Sequence, residues 1–201
     1  MNSGATFDRV YRALKAELGT GRFCPGDHLE PSALSDELNS SITPVRDALH
    51  RLVGEGLVEA PRGDGFRVPL VTEVGLRHLY AWNQWLLLGA TRAAGGLVPV
   101  DSVEPGVEHL FLAIAGLSAN PEHADAIARL NDRLRAIRRV EQSILGPADV
   151  ELQEVKQALG NMPVLRKLIS HYHRRRVRFT AQIVAALYRC QAICRLQRPR
   201  P

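Results

Sequence analysis

Ser41, Thr43 and Arg46 stand within six residues of one another, at the start of a segment whose apolar residues recur at helical spacing. Hydroxyls there can bond phosphate oxygens or base edges, and a guanidinium can meet guanine through two parallel hydrogen bonds. A helix N-terminus also favours a phosphate, because its first N–H groups are unpaired. Further along, Arg62 and Gly63 lie in the connector Pro61-Arg62-Gly63-Asp64-Gly65, from which Arg62 could reach a minor groove or the DNA backbone. The chemistry offered is nucleic-acid recognition. Ser and Thr at helix starts also serve as plain caps, so the surrounding elements must decide.

Other reactive residues form weaker patterns. Cys24, Cys190 and Cys194 are odd in number and widely split, which argues against a disulfide framework. Cys190 and Cys194 would share a helix face, but no second ligand pair lies at metal-site spacing. His171 and His173 are two apart and diverge on a helix, so with Arg174, Arg175, Arg176 and Arg178 they read as a solvated basic face, although the Arg run could also touch DNA flanks. Trp82, Trp85, Asn83, Gln84 and Arg92 could line a ligand cavity, or serve core and interface packing. No Ser/His/Asp or Cys/His constellation, phosphate loop or paired carboxylate site is found, so an enzyme is not expected.

Stepping along the chain gives the elements behind these residues. Phe7, Val10, Tyr11, Leu14 and Leu18 predict an amphipathic helix, ended by Gly19-Thr20-Gly21. A short helix follows at 31–38, with Pro31 in its first turn, then the connector Asn39-Ser40-Ser41. A third helix, 43–53, buries Val45, Ala48, Leu49 and Leu52. The period then changes, and 57–60 and 66–70 read as two strands joined as a hairpin. Helices are predicted at 72–94, 104–116, 121–144, 148–159 and 163–196, with a break at Gly95-Gly96 and a disordered basic tail at 197–201. The expected fold is mainly α: a winged helix-turn-helix of three helices plus a β-hairpin over 1–70, then an all-α bundle over 71–201.

No apolar run reaches membrane-span length and the N-terminus has no secretory pattern, so a cytoplasmic protein is expected. The net charge of +5 is unevenly placed. From Lys156 onward there are 11 Lys and Arg and no Asp or Glu, which leaves residues 1–155 at −6. Overall basicity therefore does not argue for DNA binding at the N-terminus; the motif must.

The stretch ALSDELNSSITPVRDALHRLVGEGLVEAPRGDGFRV, within Leu29–Val68, resembles the winged-helix domain of the GntR family of transcriptional regulators. Thr43-Pro44-Val45-Arg46-Asp47-Ala48-Leu49 and Gly56-Leu57-Val58 carry the match. The resemblance implies that Ser41, Thr43 and Arg46 contact a double-stranded DNA operator from the recognition helix, and Arg62 and Gly63 from the wing. Ser32 stands where many members carry a DNA-contacting Arg, and Ile42 where the motif's first Arg belongs.

Residues 72–196 resemble, less completely, the effector-binding helical domain of the FadR branch, called FCD. That resemblance implies a homodimer and a small organic-acid effector, with Trp82, Trp85, Arg92, Asp149 and Gln153 as candidate contacts. In typical members an Asp and three His bind a divalent metal. Asp149 matches the Asp, but Gln153 stands where a metal-binding His belongs, and an amide is a poor ligand. The metal site is expected to be lost. The sequence leaves two functional readings: a homodimeric repressor responding to an effector, or a DNA-binding protein without one, controlled by a protein partner or not at all.

Overall fold

A computed structural model describes residues 3–95 and 102–197, with side chains for 4–95 and 102–189. Gly96 of the predicted break, Cys190 and Cys194 as side chains, and the tail 198–201 lie outside the described residues. The described helices are α1 (Ser3–Thr20), α2 (Pro31–Glu37), α3 (Ile42–Gly54), α4 (Glu73–Arg92), α5 (Val107–Ala115), α6 (Pro121–Leu145), α7 (Asp149–Gln157), α8 (Met162–Arg178) and α9 (Thr180–Gln197). No described helix is long and apolar enough to cross a membrane. The chain divides into two compact units. One holds 1–71 with short segments at 135–139 and 185–201; the other holds 72–134 and 140–184.

In the first unit, α1 and α2 pack on α3. Val10, Leu14 and Leu18 of α1, Leu34 of α2 and Val45, Ala48, Leu49 and Leu52 of α3 form one apolar cluster with Val58 and Phe66. Three short amphipathic helices thus each bury one stripe against the others, which is how helices this short become stable.

The two predicted strands at 57–60 and 66–70 do not form; the described residues contain only isolated bridges there. Glu59 and Arg67 exchange both backbone hydrogen bonds, at 2.8 and 2.9 Å. Leu29 N–H and Val68 N–H tie the returning segment to Phe66 and Asp27 carbonyls at 2.8 and 2.9 Å. The physical reason lies in the residues flanking the rung. Pro61 and Pro69 have no N–H to extend a ladder, and Gly63 and Gly65 turn the chain at φ 80° and 66°. The loop Pro61–Gly65 therefore hangs on one rung rather than on paired strands.

In the second unit, α4 packs on α5 and α8, and α7 on α8. Thr72 caps α4, its hydroxyl accepting from Gly75 N–H at 3.0 Å. The single helix predicted over 163–196 is two, divided at Phe179. Thr180 turns its hydroxyl back onto the Val177 carbonyl at 3.0 Å, the local competition by which Thr interrupts helices.

The basic face read over His171–Arg178 needs a larger correction. His171 and Arg174 are exposed, but His173 and Arg176 are only 1% and 2% exposed. Arg176 Nε donates to Glu141 at 2.9 Å, and its Nη1 donates to Glu151 and to the Tyr172 carbonyl, both at 3.0 Å. Tyr80 completes the set by donating to the second Glu141 oxygen at 2.6 Å. Burial works against the Arg176 charge, but Tyr172, Glu141 and Glu151 more than offset it and hold its pKa above the ordinary value. Burial and the Glu141 charge push the Tyr80 hydroxyl up, so it stays protonated as a donor. Residues of α4, α6, α7 and α8 meet at this one cation.

Removing the cation would strand two carboxylates in the interior. Arg176→Ala is expected to cost about 3–5 kcal/mol in urea unfolding followed by circular dichroism. A loss below about 1 kcal/mol, the range of an exposed pair, would show that the cluster does not hold the unit together.

Candidate nucleic-acid interface

Burial of one α3 face fixes what the other presents. With Val45, Ala48, Leu49 and Leu52 inward, Ile42, Thr43, Arg46, Asp47 and His50 are left exposed. Ser41 is the N-cap residue, yet its hydroxyl makes no cap hydrogen bond. A Ser at this position that does not cap keeps its donor and acceptors for a ligand. Arg46 makes no ion pair among the described residues, so its five donors are likewise uncommitted. The three residues singled out from spacing thus lie together at one exposed end of one helix. A depression there is lined by Ser41, Thr43, Asp47, Asp36 and Asn39.

The turn ahead of α3 is held rigidly. Asn39 adopts φ 45°, a left-handed conformation that Asn tolerates better than most residues. Arg9 of α1 donates to the carbonyls of Leu38 and Asn39 at 2.8 and 3.3 Å, tying the turn to the first helix. At the other end of α3, Glu55 accepts from Tyr11 at 2.6 Å and from Lys15 at 3.0 Å. Arg51 lies over the Tyr11 ring, 4.0 Å from its centroid. Burial pushes the Glu55 carboxyl up, but the hydrogen bonds from Tyr11 and Lys15, with the charges of Lys15 and Arg51, bring it below its ordinary range. α3 is therefore anchored to α1 at both ends. Arg9 and Glu55, which set its position, were not singled out from sequence; their only signal was polarity beside an apolar stripe.

The remaining predicted DNA contacts are more dispersed. Arg62 and Gly63 lie exposed at the tip of the loop, where Asp64 N–H bonds the Pro61 carbonyl at 3.2 Å. Ser32 is exposed in the first turn of α2, its hydroxyl 3.2 Å from Glu30 Oε1.

This helix, turn and helix with a following loop agree with a family match. Residues 6–68 match the bacterial regulatory proteins of the gntR family. That segment is a GntR-type helix-turn-helix domain. The chain is 36% identical to the HTH-type transcriptional regulator McbR of Escherichia coli K12 over 100 residues, which are 48% of this chain and 44% of that protein. The HTH-type transcriptional repressor GlaR of the same organism is 32% identical over 125 residues, 61% of this chain and 53% of GlaR. The chain thus spans about half the length of these GntR-type relatives, which are regulators and not enzymes. Among solved structures, E. coli McbR/YncC matches with TM-score 0.66 at 22% identity, over 88% of this chain and 97% of that one. A GntR regulator from Rhodococcus sp. RHA1 matches at 0.71 and 19% identity, over 90% and 99%. At these identities the likeness speaks for the fold.

The effector residues predicted behind the GntR-type domain are not brought together in an interior. Trp82 and Trp85 stack on each other at 5.0 Å on the surface of α4, 47% and 60% exposed. Arg92 is exposed at the end of α4, and Asp149 and Gln153 on α7. Among the described residues no three His, Cys, Asp or Glu converge as a metal-holding group. Asp149 and Gln153, exposed and without such partners, do not fit the divalent metal that the FCD resemblance implies. The interior instead holds Tyr80, Asn83, Glu141, His173 and Arg176. Of these only Asn83 was a candidate from sequence, and its amide lies 2.8 Å from His173 Nε2.

Glu55 gives the α1–α3 anchor a definite pH dependence. Its pKa is lowered on folding, so its contribution is present above its ordinary value of 4.5 and is lost as pH falls through the folded value. Glu55→Gln is expected to speed hydrogen exchange of α1 and α3 amides near neutral pH, and the difference from wild type is expected to shrink under acid. A difference constant across pH would show that the Glu55 charge is not what anchors α3.

Proposed function

We propose that this chain is a cytoplasmic, sequence-specific DNA-binding transcription regulator acting as a homodimer on a two-fold symmetric operator. The observation that carries this is the exposed start of α3, where Ser41 does not cap and Arg46 is unpaired. Set in the major groove, Arg46 reads guanine or holds a phosphate, Ser41 and Thr43 bond phosphates or base edges, and Arg62 and Gly63 follow the backbone from the loop, with Ser32 at the margin. Two copies related by a two-fold axis would meet half-sites about one helical turn apart. The stacked Trp82–Trp85 pair, exposed in the single chain, supports self-association through α4.

In this reading the helical unit binds a small organic acid, shifting the pair between DNA-competent and incompetent arrangements and making the protein a ligand-responsive repressor. A second reading has no small-molecule effector. The closed pairing of Arg176 with Glu141 and Glu151 favours it, because the buried cation that would otherwise receive a carboxylate is already neutralised.

Enrichment of duplexes from a random pool by the full chain, with solution mass measured alongside, tests the first claim. A palindromic sequence is expected, and Arg46→Ala should relax preference at one position by about 1–3 kcal/mol. An Arg46→Ala protein that binds the enriched duplex as selectively as wild type would remove the basis for the proposal. Thermal-shift screening against organic acids separates the two readings: stabilisation that grows with ligand concentration supports an effector, and uniform indifference supports its absence.

A further inference from the structure

Ile42 is the first residue of α3 and is 47% exposed, on a face otherwise made of Thr43, Arg46, Asp47 and His50. It lies outside the apolar cluster of its unit, which takes Val45, Ala48, Leu49 and Leu52 from the same helix. Its spacing of four from Arg46 puts the two side chains on one stripe, a turn apart. A large aliphatic group in the midst of a polar binding face gains free energy only when an apolar partner covers it. On major-groove base edges the apolar feature is the 5-methyl group of thymine. We propose that Ile42 reads the 5-methyl of a thymine lying within about two base pairs of the base met by Arg46.

The spacing follows from geometry. One helical turn advances about 5.4 Å, against a rise of about 3.4 Å per base pair. An Arg at this position would add a cation to the interface and steepen its salt dependence; Ile adds a contact that counts methyl groups and is insensitive to salt. This inference rests on the reading that the start of α3 lies in the major groove.

The test uses the full chain and its pool-enriched duplex, remade with deoxyuridine in place of each thymine in turn. That exchange removes the methyl and leaves base pairing intact. Uncovering one methyl group is expected to weaken binding roughly three- to fivefold, at a thymine within about two base pairs of the position relaxed by Arg46→Ala. Ile42→Ala should bind thymine and uracil duplexes equally, while Ile42→Val, which keeps a branched apolar tip, should retain most of the difference. Both variants should melt with wild type, because Ile42 is outside the core; should Ile42→Ala melt lower, Ile42→Gln, a good helix former with no methyl group at its tip, takes its place. An enriched duplex indifferent to every uracil exchange, or a thymine preference that survives loss of Ile42, overturns the role of Ile42 and leaves DNA binding standing. A pool from which nothing is enriched overturns the DNA reading itself.

Discussion

The burial of one face of α3 is the constraint from which the helix's exposed face follows. Thirteen residues are too few to hold a helix in water without tertiary support. Val45, Ala48, Leu49 and Leu52 have no solvent exposure, and they lock the helix against α1 and α2. Once that stripe is fixed, the opposite face has no rotational freedom left. Arg9 on the preceding turn and Glu55 at the far end then remove the remaining freedom to slide or tilt. Recognition chemistry needs side chains held to within a fraction of an ångström, and here a packed core supplies that precision to residues that make no core contact themselves.

What the sequence revealed divides along the same line. The α3 stripe and its exposed Ser41, Thr43 and Arg46 were readable because helical periodicity is a local signal, and one buried face dictates its complement. The wing closes on one Glu59–Arg67 rung and not on two strands, because a strand needs a partner, and the alternation of residues 57–70 says nothing about how many rungs form. Pro61 and Pro69 were visible and should have limited the expectation to one. His173 and Arg176 were misread because adjacent charges suggest a solvated face. Leu165, Ile169 and Tyr172 are spaced four and three apart, and the next step of four lands on Arg176. The apolar stripe thus runs onto a cation, a signal that a carboxylate must be waiting inside. Which carboxylate it is, Glu141 or Glu151, no local pattern could tell.

The interior of the helical unit answers a different physical demand. A buried guanidinium is tolerated only with its charge matched and its donors satisfied. Glu141 and Glu151 match it, the Tyr172 carbonyl takes a further hydrogen bond, and the Tyr172 ring stacks beneath it at 3.2 Å. Such a cluster stabilises little compared with an apolar core of equal volume, since desolvation consumes much of the attraction. Its effect is on arrangement: four helices must meet in one register for Tyr80, Glu141, Glu151 and Arg176 to satisfy one another. A unit whose buried cation is already paired differs in kind from one that leaves a cation open for a ligand.

The charge distribution finally sets what kind of DNA binding the α3 face can support. Nonspecific affinity comes from cations facing phosphates, and its share scales with their number. Here the outward face of α3 offers Arg46 beside Asp47, with Asp36 on the rim of the adjoining depression. Ser32 and Ile42 stand where the GntR resemblance implies positive charge, and Ser32 faces Glu30. The first 155 residues are net acidic, and the basic excess lies beyond them. If it meets DNA as proposed, a face so poor in cations gains little from counterion release, and direct contacts to base edges carry a larger share of its affinity. That is the condition under which a single aliphatic side chain, worth little beside six or eight phosphate contacts, becomes a substantial part of the discrimination.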